Sequence, residues 1–146
     1  MTVVLSGQES GSRIAARFPA SVVETTPEAV LISAESLVDV AGFLKSDAAL
    51  AFSLLVDITA VDYWDYFELV YRLTSLQHNH SLVLKVRCAD RLAPSVPSLT
   101  GLWKGADLME REIFDLMGIT FTGHPNMKRI FLWEGFTGHP LRKDYL

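Results

Sequence analysis

The pattern of apolar residues points to an α+β domain: a mixed, largely antiparallel sheet packed with helices and followed by an extended C-terminal tail. Three features support this. Runs between Leu54 and Cys88 carry apolar residues at strand spacing, segments around Leu37 and Asp107 carry them at helical spacing, and beyond Gly118 neither period persists. At 146 residues, 49% of them apolar, the chain is long enough for one domain with a real hydrophobic core.

Taken in order, Arg13 to Phe18 reads as helical and stops before Pro19. Ala20–Val23 and Ala29–Ile32 are short apolar stretches expected to pair around Pro27. Leu37, Val40, Ala41 and Leu44 recur at helical spacing, with Ser33 or Ser36 available as N-cap. From Leu54 to Asp62 both faces are partly apolar, which suits a central strand. In Tyr66 to Thr74, Phe67, Leu69, Tyr71 and Leu73 oppose Glu68 and Arg72. In Ser81 to Cys88, Leu82, Leu84 and Val86 oppose Lys85 and Arg87, and the short link Ser75 to His80 makes the two runs an antiparallel hairpin. Pro94 and Pro97 end the strand region, and Ser98 can cap a turn through Trp103. A last helix, Asp107 to Met117, is marked by capping-box spacing between Asp107 and Glu110 and by Gly118 at the C-cap. Residues 1–118 are therefore expected to form the body and residues 119–146 the tail.

Composition excludes several classes. Thirteen basic against seventeen acidic residues offer no broad cationic surface for nucleic acid. Cys88 is the single cysteine, so the chain has neither an internal disulfide nor the thiolate set of an iron–sulfur cluster. No phosphate-binding loop or dinucleotide fingerprint is present. The longest apolar run, Ala48 to Val56, is far short of a membrane span of ~20 residues. Residues 1–7 lack the basic and apolar regions of a secretory signal, so a cytoplasmic location is expected.

The tail holds the functional clues. It carries Phe121, Phe131, Trp133, Phe136 and Tyr145, large aromatics that must cover the chain's own body or another protein. Arg129, Trp133, Phe136 and Arg142 are of the residue types that dominate protein–protein hot spots. Phe-Thr-Gly-His-Pro occurs twice, at 121–125 and 136–140. Either His124 and His139 converge on a metal, or the two copies are rigid turns with locally bonded imidazoles. The missing ligand set favours the turns. His78-Asn79-His80 lies in the hairpin loop and reads as a solvated turn. On the last helix Arg111 and Asp115 are four apart and can pair at the surface, whereas Glu112 falls within the apolar arc of Met109, Ile113 and Leu116. A carboxylate there needs a cation, and Arg129 or Arg142 is expected to meet it and pin the tail. No nucleophile accompanies Glu112, so no catalytic residue is assigned.

Glu110 to Ile119, then Phe121 to Pro125, Arg129-Ile130 and Gly138 to Tyr145 together closely resemble the signature of a respiratory complex I family, that of the thirty-kilodalton or C subunit of NADH-quinone oxidoreductase. The resemblance extends upstream through Leu55 to Tyr63, Phe67 to Tyr71 and Leu76 to His80. It implies a non-catalytic structural subunit in the peripheral arm of proton-translocating NADH:quinone oxidoreductase, a peripheral protein on the cytoplasmic side of the cell membrane, attached through the complex only. It also implies no cofactor in this chain, with FMN, iron–sulfur clusters, NADH and quinone in partner subunits. The tail would lie against the forty-nine-kilodalton or D subunit. Glu112, Arg129, Trp133, Phe136, His139, Arg142 and Lys143 are the candidate interface or tail-anchoring residues. Related hydrogenases and ferredoxin- or deazaflavin-linked dehydrogenases use a similar subunit and are the nearest alternative. An autonomous hydrolase using Glu112 with His124 or His139 would instead be active as an isolated chain, and a regulatory binding domain would associate reversibly.

Overall fold

Two long alternating runs build the centre of the sheet. The computed structural model describes residues 2–133 and 135–145, with elements in the order β1 (Val3–Val4), α1 (Gly7–Arg17), β2 (Val22–Thr25), β3 (Ala29–Ile32), α2 (Leu37–Ser46), β4 (Leu54–Asp62), β5 (Phe67–Ser75), β6 (His80–Cys88), β7 (Ser95–Pro97), α3 (Ala106–Met117) and β8 (Thr120–Thr122). The β5–β6 hairpin sets Leu69 opposite Val86, Tyr71 opposite Leu84 and Leu73 opposite Leu82, so the apolar halves of both strands share one face. Sheet order is β2-β3-β6-β5-β4, with β1 also against β6. Within this sheet β1 and β3 run parallel to β6 and the other pairs are antiparallel, as expected of a mixed, largely antiparallel sheet.

The inner face packs with Ile14 of α1, Leu37, Val40, Ala41 and Leu44 of α2, and Ala106, Ile113 and Met117 of α3 into one core. Full burial of each large side chain, such as Phe52 or Phe67, contributes roughly 1.5–3 kcal/mol. On the opposite face Glu68 is buried between Lys85 (3.3 Å) and Arg87 (3.1 Å), which stand beside it on β6.

Four differences from the sequence reading have physical causes. α1 begins at Gly7, with the Ser6 hydroxyl accepting from the Glu9 N–H at 3.2 Å; its buried face includes Gly7, Ser10 and Gly11, which leave no apolar period to read. A Cβ on Gly7 would lie 1.9 Å from the Thr26 carbonyl oxygen, so the helix sits against the β2–β3 turn backbone to backbone. β4 is an edge strand rather than a central one, because among the described residues it pairs with β5 alone. Residues 119–122 belong to the body: β8 pairs in parallel with β7, and Ile119 and Phe121 are buried. Two three-residue strands held together across the chain give no local period. Finally, α3 starts at Ala106 without a side-chain cap, and Glu110 turns inward instead of closing a capping box.

Glu110 is fully buried and ties the preceding turn to α3: the Ser98 hydroxyl donates to Oε1 at 2.6 Å and the Leu99 N–H to Oε2 at 2.8 Å. Burial raises its pKa against the opposing pull of these donors. A raised carboxyl favours the folded state most at low pH, and that advantage declines as pH climbs from the ordinary glutamate range through the raised value. Glu110→Gln, which keeps an acceptor for the Leu99 N–H, is expected to leave stability within about 1 kcal/mol of the parent at pH 7. Its melting temperature relative to the parent should increase between pH 4 and pH 7; a relative decrease would refute the raised carboxyl.

Candidate partner-docking site

On α3, Ala106, Glu110, Ile113 and Met117 fall on one arc and enter the core. At about 100° per residue, Asp115 stands nearly opposite that arc, yet it too is fully buried. The tail buries it. Asp115 Oδ2 accepts from three successive N–H groups, Ile130 (3.1 Å), Phe131 (2.7 Å) and Leu132 (3.1 Å), while Oδ1 pairs with Arg129 Nη1 at 3.0 Å. Consecutive N–H groups converging on one oxygen form an anion nest, here filled by the chain's own side chain. Arg129 also donates to the Gly138 carbonyl at 2.8 Å, joining two parts of the tail. Burial alone would raise the Asp115 pKa, but the three N–H donors and the Arg129 guanidinium outweigh it and hold the carboxyl below its ordinary value.

The repeated pentapeptide brackets the same helix. In the first copy the His124 ring donates through Nε2 to the Asp107 carbonyl (3.1 Å) and accepts the Asn126 N–H at Nδ1 (2.9 Å). In the second, His139 donates through Nδ1 to the Asp115 carbonyl at 3.0 Å and packs on Phe114. Gly118 ends α3 in the left-handed region, φ 76°, and a Cβ there would lie 2.7 Å from the His139 ring. The Gly of each pentapeptide, Gly123 and Gly138, is left-handed as well.

A second carboxylate secures the end of the tail. Asp62, the last residue of β4, takes both Arg91 Nη atoms (2.6 and 3.0 Å), the Trp64 N–H (2.9 Å) and the Lys143 N–H (2.9 Å). The Arg91 guanidinium holds its carboxyl well below the usual range, against burial and with help from the two N–H groups. Arg91 also meets Asp144 at 3.2 Å, and Arg142 lies over the Phe67 ring while donating to the Arg91 carbonyl.

Of the candidate residues, Arg129, His139, Arg142 and Lys143 make contacts between the tail and the body, the last through its backbone. Glu112 is not the tail's anchor: it is exposed, and Arg129 is committed to Asp115. Arg111 does not pair with Asp115 but donates to the Lys128 and Arg129 carbonyls. The apolar arc of α3 lies about 60° from where its sequence alone placed it, which turns Glu112 out and leaves Asp115 facing the tail. Asp62 and Arg91 were missed as anchors. The available signal was Asp62's position after Ile58 and Ala60 on the inward side of β4, where a carboxylate needs a cation. Trp133, 69% exposed, packs edge-on against Phe136 at 4.8 Å, and Phe136 lies under Arg129. Phe131 is 63% exposed, and a groove of about 330 Å³ opens between Phe114, Met127, Lys128, Arg129 and Gly135. Among the described residues no helix is long and apolar enough to cross a membrane.

The site is thus a small α+β body that ties its own tail down and leaves Phe131 and Trp133 of that tail exposed. The family model described as "Respiratory-chain NADH dehydrogenase, 30 Kd subunit" matches residues 30–146, and the chain belongs to this family. It is 50% identical over 118 residues to the NADH-quinone oxidoreductase C subunit of Roseiflexus sp. (strain RS-1), covering 79% of this chain and 67% of that protein. The NADH-quinone oxidoreductase C 2 subunit of Rhizobium etli (strain CIAT 652) is 45% identical over 114 residues, covering 76% and 60%. The mitochondrial NADH-ubiquinone oxidoreductase 30.4 kDa subunit of Neurospora crassa is 45% identical over 119 residues, covering 80% and 41%. The chain thus spans from 41% to 67% of the length of these relatives. A chain from the structure of the membrane-bound sulfane sulfur reductase, an archaeal respiratory membrane complex, shares the fold with a TM-score of 0.77 at 24% identity, over 95% of this chain and 85% of that one.

Asp115→Asn removes the charge that holds the nest and Arg129, a loss of about 3 kcal/mol felt in the tail. Hydrogen exchange at residues 130–132 is expected to accelerate about a hundred-fold with the β5–β6 amides unchanged; equal exchange in both proteins would rule out the anchor. Because the folded pKa is depressed, the clasp is complete above the ordinary aspartate range and is lost only as pH falls through the lower folded value. The parent tail should therefore stay protected at pH 5.

Proposed function

We propose that this chain is a non-catalytic structural subunit of the peripheral arm of proton-translocating NADH:quinone oxidoreductase, supporting electron transfer from NADH to quinone through its partners. The observation that carries the reading is the tail: two buried carboxylates, Asp115 and Asp62, set its path while Phe131 and Trp133 remain exposed. Ordering a binding segment before the encounter removes part of the entropy cost of association. The partner in this reading is chiefly the D subunit. The flavin, iron–sulfur clusters, NADH and quinone belong to other subunits, in keeping with a single cysteine and no nucleotide motif in this chain. Attachment to the cytoplasmic side of the membrane follows through the complex. The fold shared with a sulfane sulfur reductase chain leaves room for an equivalent subunit fed by another donor, but the relatives at 45–50% identity are NADH-linked by name, which favours the first reading.

The test is purification of the tagged chain from native membranes in mild detergent, followed by identification of what co-elutes. A D-type subunit with flavin- and cluster-bearing partners is the expected result, and an NADH-binding flavoprotein among them identifies the donor. A solitary chain would overturn the assembly reading. Replacing Phe131 and Trp133 by alanine should lower recovery of the partners at least about ten-fold, since exposed aromatics of this kind act as hot spots. The variant's melting temperature should match the parent's.

A further inference from the structure

The sequence of β4 and its place in the fold disagree. Leu54, Val56, Ile58, Ala60 and Val61 put apolar side chains on both faces, the pattern of a strand covered on both sides. In the structure β4 is the sheet's edge. Among the described residues it pairs with β5 alone, and no backbone hydrogen bond leaves its outer edge. Leu54, Val56 and Val61 are 42%, 45% and 38% exposed. Edge strands are commonly guarded by proline, charged side chains, shortness or a bulge; the nine-residue β4 has no proline or lysine and carries the bulge between Leu55 and Asp57 and the carboxylates Asp57 and Asp62.

A groove of about 340 Å³ runs beside this edge, with Asp57–Ala60 on one side and Met109, Glu112 and Leu116 of α3 on the other. Its charged lining groups are carboxylates. Asp57 shares Arg72 at 3.5 Å, whereas Glu112 is exposed and, among the described residues, has no cationic side chain within ion-pair distance.

We propose that this groove seats an extended segment of a partner subunit, which adds to β4 as a further strand and sets a lysine or arginine against Glu112. The free N–H and C=O groups of β4 supply the main-chain bonds, and a helix would not use them because its own backbone groups are already paired. Unbranched Met109 adapts to the incoming side chains, and the two carboxylates select a basic segment. The inference rests on the assembly reading above but concerns a different surface from Phe131 and Trp133.

Hydrogen exchange across residues 54–62, in the isolated chain and in the detergent-extracted complex, tests it alongside oxidative footprinting of Trp133. Assembly is expected to slow exchange in β4 about ten-fold or more. Glu112→Arg, at an exposed position, should keep the parent's melting temperature and enter the complex about ten-fold less well, with Glu112→Gln less affected. Unchanged exchange in 54–62 while Trp133 becomes protected would overturn the groove and leave the tail reading standing; protection of neither would overturn both. Protection in the isolated chain that grows with its concentration would make a second copy the occupant and refute the partner strand. Undiminished assembly of E112R would overturn the role given to Glu112.

Discussion

The path of the tail depends on one constraint, the need to satisfy a carboxylate buried on the outward side of α3. An unpaired charge in that position would be very costly, and the groups that meet it belong to the segment that follows. Asp115 gathers three successive N–H groups and Arg129, and that requirement gives residues 129–132 a single path. Arg129 passes the constraint on to Gly138, and His139 returns it to the carbonyl of Asp115. A segment with no period of its own is thereby ordered chiefly by polar contacts.

α3 serves the two halves of the molecule through carboxylates of opposite behaviour. Glu110 faces inward, where burial dominates and raises its pKa while it secures the turn ahead of the helix. Asp115 faces outward beneath the tail, where donors dominate and lower it. The two copies of the pentapeptide then hold the helix at Asp107 and at Asp115, each through an imidazole on a carbonyl. At the far end Asp62 and Arg91 repeat the logic, tying Lys143 and Asp144 to the end of β4. Body and tail are one polar framework around one apolar core.

In the function proposed above, such a framework suits a subunit that acts by being held in place. The tail is ordered from within, so the aromatics it displays are positioned before any partner arrives. Exposed apolar side chains include Ile130, Phe131, Trp133, Leu141 and Tyr145 on the tail and Leu54, Val56 and Val61 along β4.

The alternating hairpin, the helix at Leu37, the left-handed end of α3 at Gly118 and the family were all legible in the order of residues, because each is a local pattern or an ordered motif. The expectation that an arginine of the tail meets a carboxylate of α3 was also local in origin, but it named Glu112 as the carboxylate. That Asp115 and not Glu112 receives Arg129 was settled by packing: the two stand about 60° apart on a helix whose outer face is defined by what folds over it. Packing likewise placed β4 at an edge and drew residues 119–122 into the body, since strand order and the pairing of β7 with β8 join segments far apart in the chain. Local periods report which face of an element is apolar. They carry no information about the partner that covers it.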